Sequence, residues 1–294
     1  MKAGHESDTQ LLFSLSKVKE AFLVYVKLFT STSGFLAVNA QMVAVFSSLL
    51  YKVEIKPVIL LIAFFLTLFV YNMNKVTDTI EDTRNQTEIF IGGRSFYILS
   101  SLTSLVFCLL LSFMINVKVL LIVLTSIIVS LAYSIKFSGS FPRIKEVVGV
   151  KSLIVALCWG LTGALLPASI QIVDPLKIVL IFSFIFIQLI TNTIVCDIRD
   201  IEGDKASGFR TIPIVLGLVK TRKLLLALNT LIAPWMIFCY THKLFLEYMP
   251  GFIFSLFYGY IIILLFSREG QKRLHVELAV DGEWIPLIAL MKII

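Results

Sequence analysis

The sequence predicts an all-α, polytopic membrane helix bundle, and two observations decide it. Of 294 residues, 58% are hydrophobic and only 15% are charged, a balance far too apolar for a water-soluble globule. The apolar residues also fall into runs of membrane-crossing length, separated by polar connections. A third observation concerns the acids. Two stretches, NKVTDTIED at 74–82 and DIRDIEGD at 197–204, each stand where a long apolar run ends.

Taken in order, the spans are 21–50, 57–73, 95–115, 117–135, 148–167, 176–195, 221–240 and 249–266. Each has about the length that crosses a ~30 Å apolar layer, allowing for tilt. The residues up to Glu20 are mixed and lack the apolar core and small-residue cleavage site of a signal peptide. The last segment, WIPLIALMKII from Trp284, is short. It reads as a ninth helix whose earlier part is LHVELAVDG, as a piece lying against the bundle, or as a span cut short. All of residues 1–294 are assigned to a single integral-membrane domain.

Basic residues orient the array. Most of the 26 Lys and Arg lie in the N-terminal tail and in alternate connections, whereas the opposite connections carry only Lys52, Lys56, Lys118, Lys177 and Lys243. The positive-inside rule puts the richer set, and both acidic stretches with it, on the cytoplasmic side of a plasma-membrane protein. The net charge of +7 follows from this bias and from anionic lipid or substrate. No groove-reading helix or repeated basic-aromatic strand points to nucleic acid. Cys108, Cys158, Cys196 and Cys239 have no paired spacing and read as small buried hydrophobes.

Asn74, Asp78 and Asp82 are four residues apart, and Asp197, Asp200 and Asp204 follow three and four apart. On a helix each set shares one face. Carboxylates gathered at a membrane helix end repel one another, and the arrangement is tolerable if a cation sits among them. An oxygen-only set of this kind suits magnesium, held together with waters and substrate phosphate. The plainer alternative is that the acids end membrane helices at water.

Three connections carry cations toward the same side. KASGFRTIPIVLG at 205–217 brings Lys205 and Arg210, and TRNQTEIFIGGRS at 83–95 brings Arg84 and Arg94. LAYSIKFSGSFPRIKEVVGVK at 131–151 brings Tyr133, Lys145 and Lys151. A diphosphate held between magnesium and these cations has the charge on its leaving group neutralised. Phe64, Phe65, Phe69, Phe182, Phe184 and Phe186 are candidates to line a greasy channel and to stabilise a carbocation.

With those motifs in place, the sequence resembles the UbiA superfamily of intramembrane prenyltransferases. Asn74, Asp78 and Asp82 match its N-x-x-x-D-x-x-x-D motif, and Asp197, Asp200, Gly203 and Asp204 match its D-x-x-D-x-x-G-D form. The stretch KASGFRTIPIVLG is similar to its K-x-G-x-x-T-x-P-x-x-L-G, and LAYS with PRIKEVVGVK to its tyrosine-and-lysine loop. The resemblance implies about nine helices around a central cavity, magnesium as cofactor, and transfer from a long-chain isoprenyl diphosphate such as geranylgeranyl diphosphate. The acceptor it implies is lipophilic: an aromatic, a chlorin or a glycerol-phosphate ether. The metal ligands it implies are Asn74, Asp78, Asp82, Asp197, Asp200 and Asp204. Arg84, Arg94, Lys145, Lys151, Lys205 and Arg210 are then diphosphate contacts, and Asp78, Asp200, Lys145 and Tyr133 the catalytic set, with Asp78 or Asp200 the candidate proton acceptor.

Three departures bear on the diphosphate contacts. No N-R-P-x-R-P follows Asp82, Lys75 stands where many relatives have aspartate, and Lys27 is the nearest counterpart of an arginine-proline pair in the first helix. Two other classes fit the sequence less well. A lipid enzyme that transfers a phosphoalcohol carries one D-G-x-x-A-R run, absent here. A cation-coupled transporter keeps its acids at midplane on interrupted helices rather than at span ends.

Overall fold

The computed structural model describes residues 17, 19–77, 93–134 and 147–293, and they form helices and short turns only. Helix α1 covers 19–31 and α2 Gly34–Tyr51. The expected single span 21–50 is therefore broken. Ser33 takes a left-handed conformation (φ 63°), and a Cβ on Gly34 would stand 2.7 Å from the Phe29 ring, so the close return of the chain depends on glycine. Helix α3 is Pro57–Thr77, with proline at the first position where its missing N–H costs nothing.

Outside these run α4, Gly93–Ile115, and α5, Val117–Ser134. Helix α4 buries Tyr97, Ser101, Ser104, Cys108 and Ser112, a stripe of mostly small residues that lets it approach α3. Its other faces expose Leu99, Leu102, Val106, Phe113 and Met114, as expected beside lipid. Helix α6, Val150–Ala168, packs on α7, Pro175–Arg199, and on α2 through glycines: a Cβ on Gly160 would meet Phe182 of α7 at 2.9 Å, and one on Gly163 would meet Val43 of α2 at 2.5 Å and Ile185 of α7 at 3.1 Å. Asp174 caps α7 by accepting the Leu176 N–H at 2.9 Å.

The chain continues through α8 (Ile201–Ala206), α9 (Ile212–Thr230), α10 (Ile232–Thr241) and α11 (Met249–Phe266). Gly217 interrupts α9 with φ 74°. The C-terminal segment is broken in two: α12 (Arg273–Val280), a 3₁₀ turn at Asp281–Glu283 and α13 (Trp284–Ile293). Seven of the described helical stretches are long and apolar enough to cross a membrane, and Val117–Ala132 is a shorter apolar one. The protein is an integral, multi-pass membrane protein.

One half of the bundle is closed by aromatic rings. Phe46 of α2, Phe184 of α7, Trp235 of α10, Phe252 of α11 and Trp284 of α13 stack or meet edge-on at centroid separations of 4.9–6.3 Å. Trp235 Nε1 donates to the Leu180 carbonyl at 3.1 Å, so its polar atom is satisfied inside the core. At ~1.5 Å per residue, Asp197 stands about 20 Å along α7 from Phe184. The open, polar half of the bundle is the half that carries the acids.

Candidate active site

A cavity of about 710 Å³ opens among the ends of α1, α2, α3, α6, α7 and α12. Helix α7 supplies Asn192, Cys196, Asp197, Arg199 and Asp200, α3 supplies Tyr71, Asn74 and Lys75, and α6 supplies Lys151, Ser152 and Trp159. The end of α3 that carries Asn74 and the acid-bearing end of α7, far apart in sequence, thus face one space.

The carboxylates are balanced by the protein's own cations. Lys151 Nζ lies 3.0 Å from Asp197 Oδ1 and 3.4 Å from Asp204 Oδ2, and Ser152 Oγ donates to Asp197 Oδ2 at 2.6 Å. Both acids are buried, and Asp197 lines the cavity. Asp200 accepts from Arg199 Nε at 2.8 Å and Nη2 at 2.6 Å. Arg273 of α12 lies 3.6 Å from Asp200 Oδ1, and Glu277 joins both arginines, at 2.8 Å from Arg273 and 3.6 Å from Arg199. Burial alone would raise the Asp200 carboxyl, but the paired Arg199, with Arg273 and Lys151, holds it below the usual carboxylate range.

Asn74 and the aspartates offer oxygen donors to a cation here. The Lys151 ammonium bridging Asp197 and Asp204 occupies the kind of position a divalent ion takes, so the donor set fits magnesium chemically. Among the described residues no three His, Cys, Asp or Glu converge as a metal cluster; Asp78 and Asp82 lie outside the described residues, as do Arg84 and Lys145.

A second, apolar groove runs between α2, α3, α5 and α6, lined by Ala40, Val43, Ala44, Ala63, Leu66, Val70 and Leu166 among others. It shares Tyr71, Asn74, Val155 and Trp159 with the polar cavity. At this neck Trp159 Nε1 donates to Tyr71 OH at 3.0 Å and their rings stand edge to face. None of the six phenylalanines expected in the channel lines either space. Phe184 belongs to the aromatic plug, while small and aliphatic side chains make the groove.

A model of the UbiA prenyltransferase family matches residues 58–277, well over half of the chain. The chain belongs to the UbiA prenyltransferase family. Its fold is that of solved UbiA homologues: one from Archaeoglobus fulgidus bound to GPP and Mg2+ superposes with a TM-score of 0.68 at 17% identity, covering 91% of this chain and 98% of that one. One from Aeropyrum pernix K1, in its apo form, gives 0.65 at 13% identity over 86% and 97%. A digeranylgeranylglyceryl phosphate synthase of Haloquadratum walsbyi is 31% identical over 123 residues, 40% of this chain and 41% of that protein. The similarity therefore spans about two fifths of that relative's length.

Of the UbiA-motif residues, Asn74, Asp197, Asp200 and Lys151 share the cavity. Arg94, Lys205 and Arg210 are exposed and stand outside its described lining, and the backbone of Tyr133 belongs to the last turn of α5. Lys75, the departure from the family pattern, is drawn to the break in the first span: its ammonium bonds the Ser31 carbonyl and Ser33 Oγ, and lies 5.4 Å from the Tyr97 ring centroid. Sequence reasoning missed Arg199, Arg273, Glu277 and Asp281 as cavity residues. The available signal was an acidic ELAVDGE inside the last apolar segment, where ionisable groups are costly.

Proposed function

We propose that the protein transfers a prenyl group from a long-chain isoprenyl diphosphate to the hydroxyl of a glycerol-phosphate ether lipid, releasing diphosphate, with the site opening on the cytoplasmic side of the plasma membrane. The observation that carries this reading is the neck at which an acid- and base-lined cavity meets an apolar groove. A prenyl diphosphate has that polarity: an anionic head and a greasy tail joined at one reactive carbon. The partial similarity to a digeranylgeranylglyceryl phosphate synthase supports the glycerol-ether acceptor over an aromatic one.

Asn74, Asp197, Asp200 and Asp204, with Asp78 and Asp82, would hold magnesium, which when bound neutralises charge on the leaving diphosphate. Lys151, Arg199 and Arg273 stand beside the same acids and offer cations to the phosphate oxygens as carboxylate partners are exchanged. The small side chains of the groove leave room for the tail. Tyr71 and Trp159 present ring faces and edges at the neck, where positive charge grows on the prenyl C1 as its bond to oxygen lengthens. The apolar walls keep water from that carbon.

The test is direct. Purified protein in lipid nanodiscs is incubated with radiolabelled geranylgeranyl diphosphate and a panel containing a glycerol-phosphate ether, a naphthoate and 4-hydroxybenzoate. Magnesium-dependent labelling of the ether is expected. Transfer to an aromatic acceptor instead would replace the assigned acceptor, and no transfer to any of them would count against the reaction.

A further inference from the structure

The C-terminal segment carries two acids in the turn between its helices, and they are treated differently. Glu283 is buried and bound: Asn192 Nδ2 of α7 donates to its Oε1 at 2.8 Å and to the Val280 carbonyl at 3.2 Å. Asn192 thereby fixes the 3₁₀ turn, and Gly282 presses it on α2, where a Cβ would stand 3.1 Å from the Phe35 ring. Asp281 in the same turn lines the cavity and makes no hydrogen bond or ion pair among the described residues. It shares that cavity with Tyr71 and Cys196. The charges acting on it, Glu277, Arg199 and Arg273, do so without contact. On the adjoining wall Asn39, 1% exposed, spends its Nδ2 on the Phe35 carbonyl at 2.8 Å and leaves Oδ1 without a partner.

Asn39 Oδ1 is a buried acceptor left without a donor, and Asp281, half-buried on the cavity wall, is a carboxylate with no partner among the described residues; a ligand that donates to them offsets the cost. Both accept hydrogen bonds, so what they lack is a donor such as a hydroxyl. We propose that Asp281 and Asn39 form the subsite for the acceptor's hydroxyl group, and that the Asp281 carboxylate takes its proton. This rests on the proposed prenyl transfer. The acceptor oxygen bonds the prenyl C1 as the bond from C1 to the diphosphate oxygen breaks. The electron pair of that bond leaves with diphosphate, and the hydroxyl proton passes to a carboxylate oxygen of Asp281. The paired acids Asp197 and Asp200 line the same cavity, but their oxygens are already engaged by Lys151, Arg199 and Ser152.

The experiment uses the full chain in nanodiscs with two probes, 1-O-hexadecylglycerol 3-phosphate, which has a free central hydroxyl, and its central O-methyl ether. Binding is measured with magnesium and a non-reactive thiodiphosphate analogue present. Wild-type protein is expected to prefer the alcohol by about ten-fold or more, the penalty for leaving buried acceptors unmet. Asp281→Ala and Asn39→Leu should each erase most of that preference while analogue affinity stays within about two-fold of wild type. With geranylgeranyl diphosphate and the alcohol, Asp281→Asn should lower kcat about 10²-fold or more at little-changed KM for the diphosphate, and Asp281→Glu should recover part of it. Equal affinity of wild-type protein for alcohol and ether, or wild-type kcat in Asp281→Asn, overturns the proposal. An alcohol preference lost in the variants, in a protein that transfers no prenyl group, sinks the proposed reaction and leaves the hydroxyl subsite standing.

Discussion

The Lys151 ammonium lies 3.0 Å from Asp197 Oδ1, at the point where the second acidic stretch enters the cavity. The same nitrogen is 3.4 Å from Asp204, and both carboxylates are at most 3% exposed, against 30% for the lysine side chain. A cation carried on α6 therefore holds two buried acids of α7 and α8 together. Repulsion among clustered carboxylates, the concern raised by the sequence, is met here by side chains of the same chain.

Removing that cation should expose the repulsion. Lys151→Met is expected to lower the stability of the metal-free protein by about 1–3 kcal/mol, because an unpaired buried charge costs more than a broken surface pair. Magnesium should restore much of the loss, so the rise in Tm on adding the ion should be larger for the variant than for wild type. Melting curves in chelator and in magnesium measure both. An equal rise in the two proteins would mean that the ion does not share the site with Lys151.

How much of this was legible in the sequence depends on distance along the chain. Apolar runs of crossing length gave the helices because membrane burial leaves the backbone few alternatives. The break at Ser33 had a local signal in the glycine of TSTSG, which the long apolar run around it masked, and the hydrogen bonds of Asn72 and Lys75 with Ser33 Oγ, about forty residues away, were not legible. In the site, the shared-face spacing of the acids was visible, whereas the Arg199–Asp200–Arg273–Glu277 network requires α12 to fold back beside α7. The phenylalanines misled because aromatic content says nothing about which half of the bundle a ring occupies. Phe184 closes the core, and alanine and valine make the groove.

Close helix packing yields a stability prediction. A methyl group on Gly163 would stand 2.5 Å from Val43 Cγ1 and 3.1 Å from Ile185 Cδ1. Gly163→Ala should cost about 1–3 kcal/mol by overpacking the α2, α6 and α7 contact. The loss is read as a lower Tm in detergent, and an unchanged or higher Tm would mean that α2 can shift without penalty.

Orientation is testable at the two ends of α7, which its 25 residues hold about 37 Å apart. Ile172, 97% exposed, precedes the helix, and exposed Lys205 follows it. In a background lacking the four native cysteines, Ile172→Cys should react with an impermeant maleimide from outside intact cells. Lys205→Cys should react only after the membrane is opened. The reverse pattern would put the site on the outer face.

The two acidic stretches are proposed to act on one diphosphate, and a mutant cycle separates that from two independent surface features. Asp78→Asn and Asp200→Asn should each lower kcat/KM by about 10²-fold or more, the effect of losing a charge interaction made in the transition state. If both serve the same bound head group, the double variant should fall little below the weaker single one, since residues that act as a unit are strongly non-additive. Stability supplies a separate readout for Asp200. Its carboxylate is engaged by Arg199 and Arg273 in the metal-free protein, so Asp200→Asn should melt lower than wild type even in chelator, by about 1–3 kcal/mol. Prenyl transfer at saturating acceptor across the four proteins, with metal-free melting curves alongside, measures both. Losses that multiply across the cycle would separate the two stretches into independent sites. Near-normal turnover in the single variants would return the aspartates to the role of helix ends facing water.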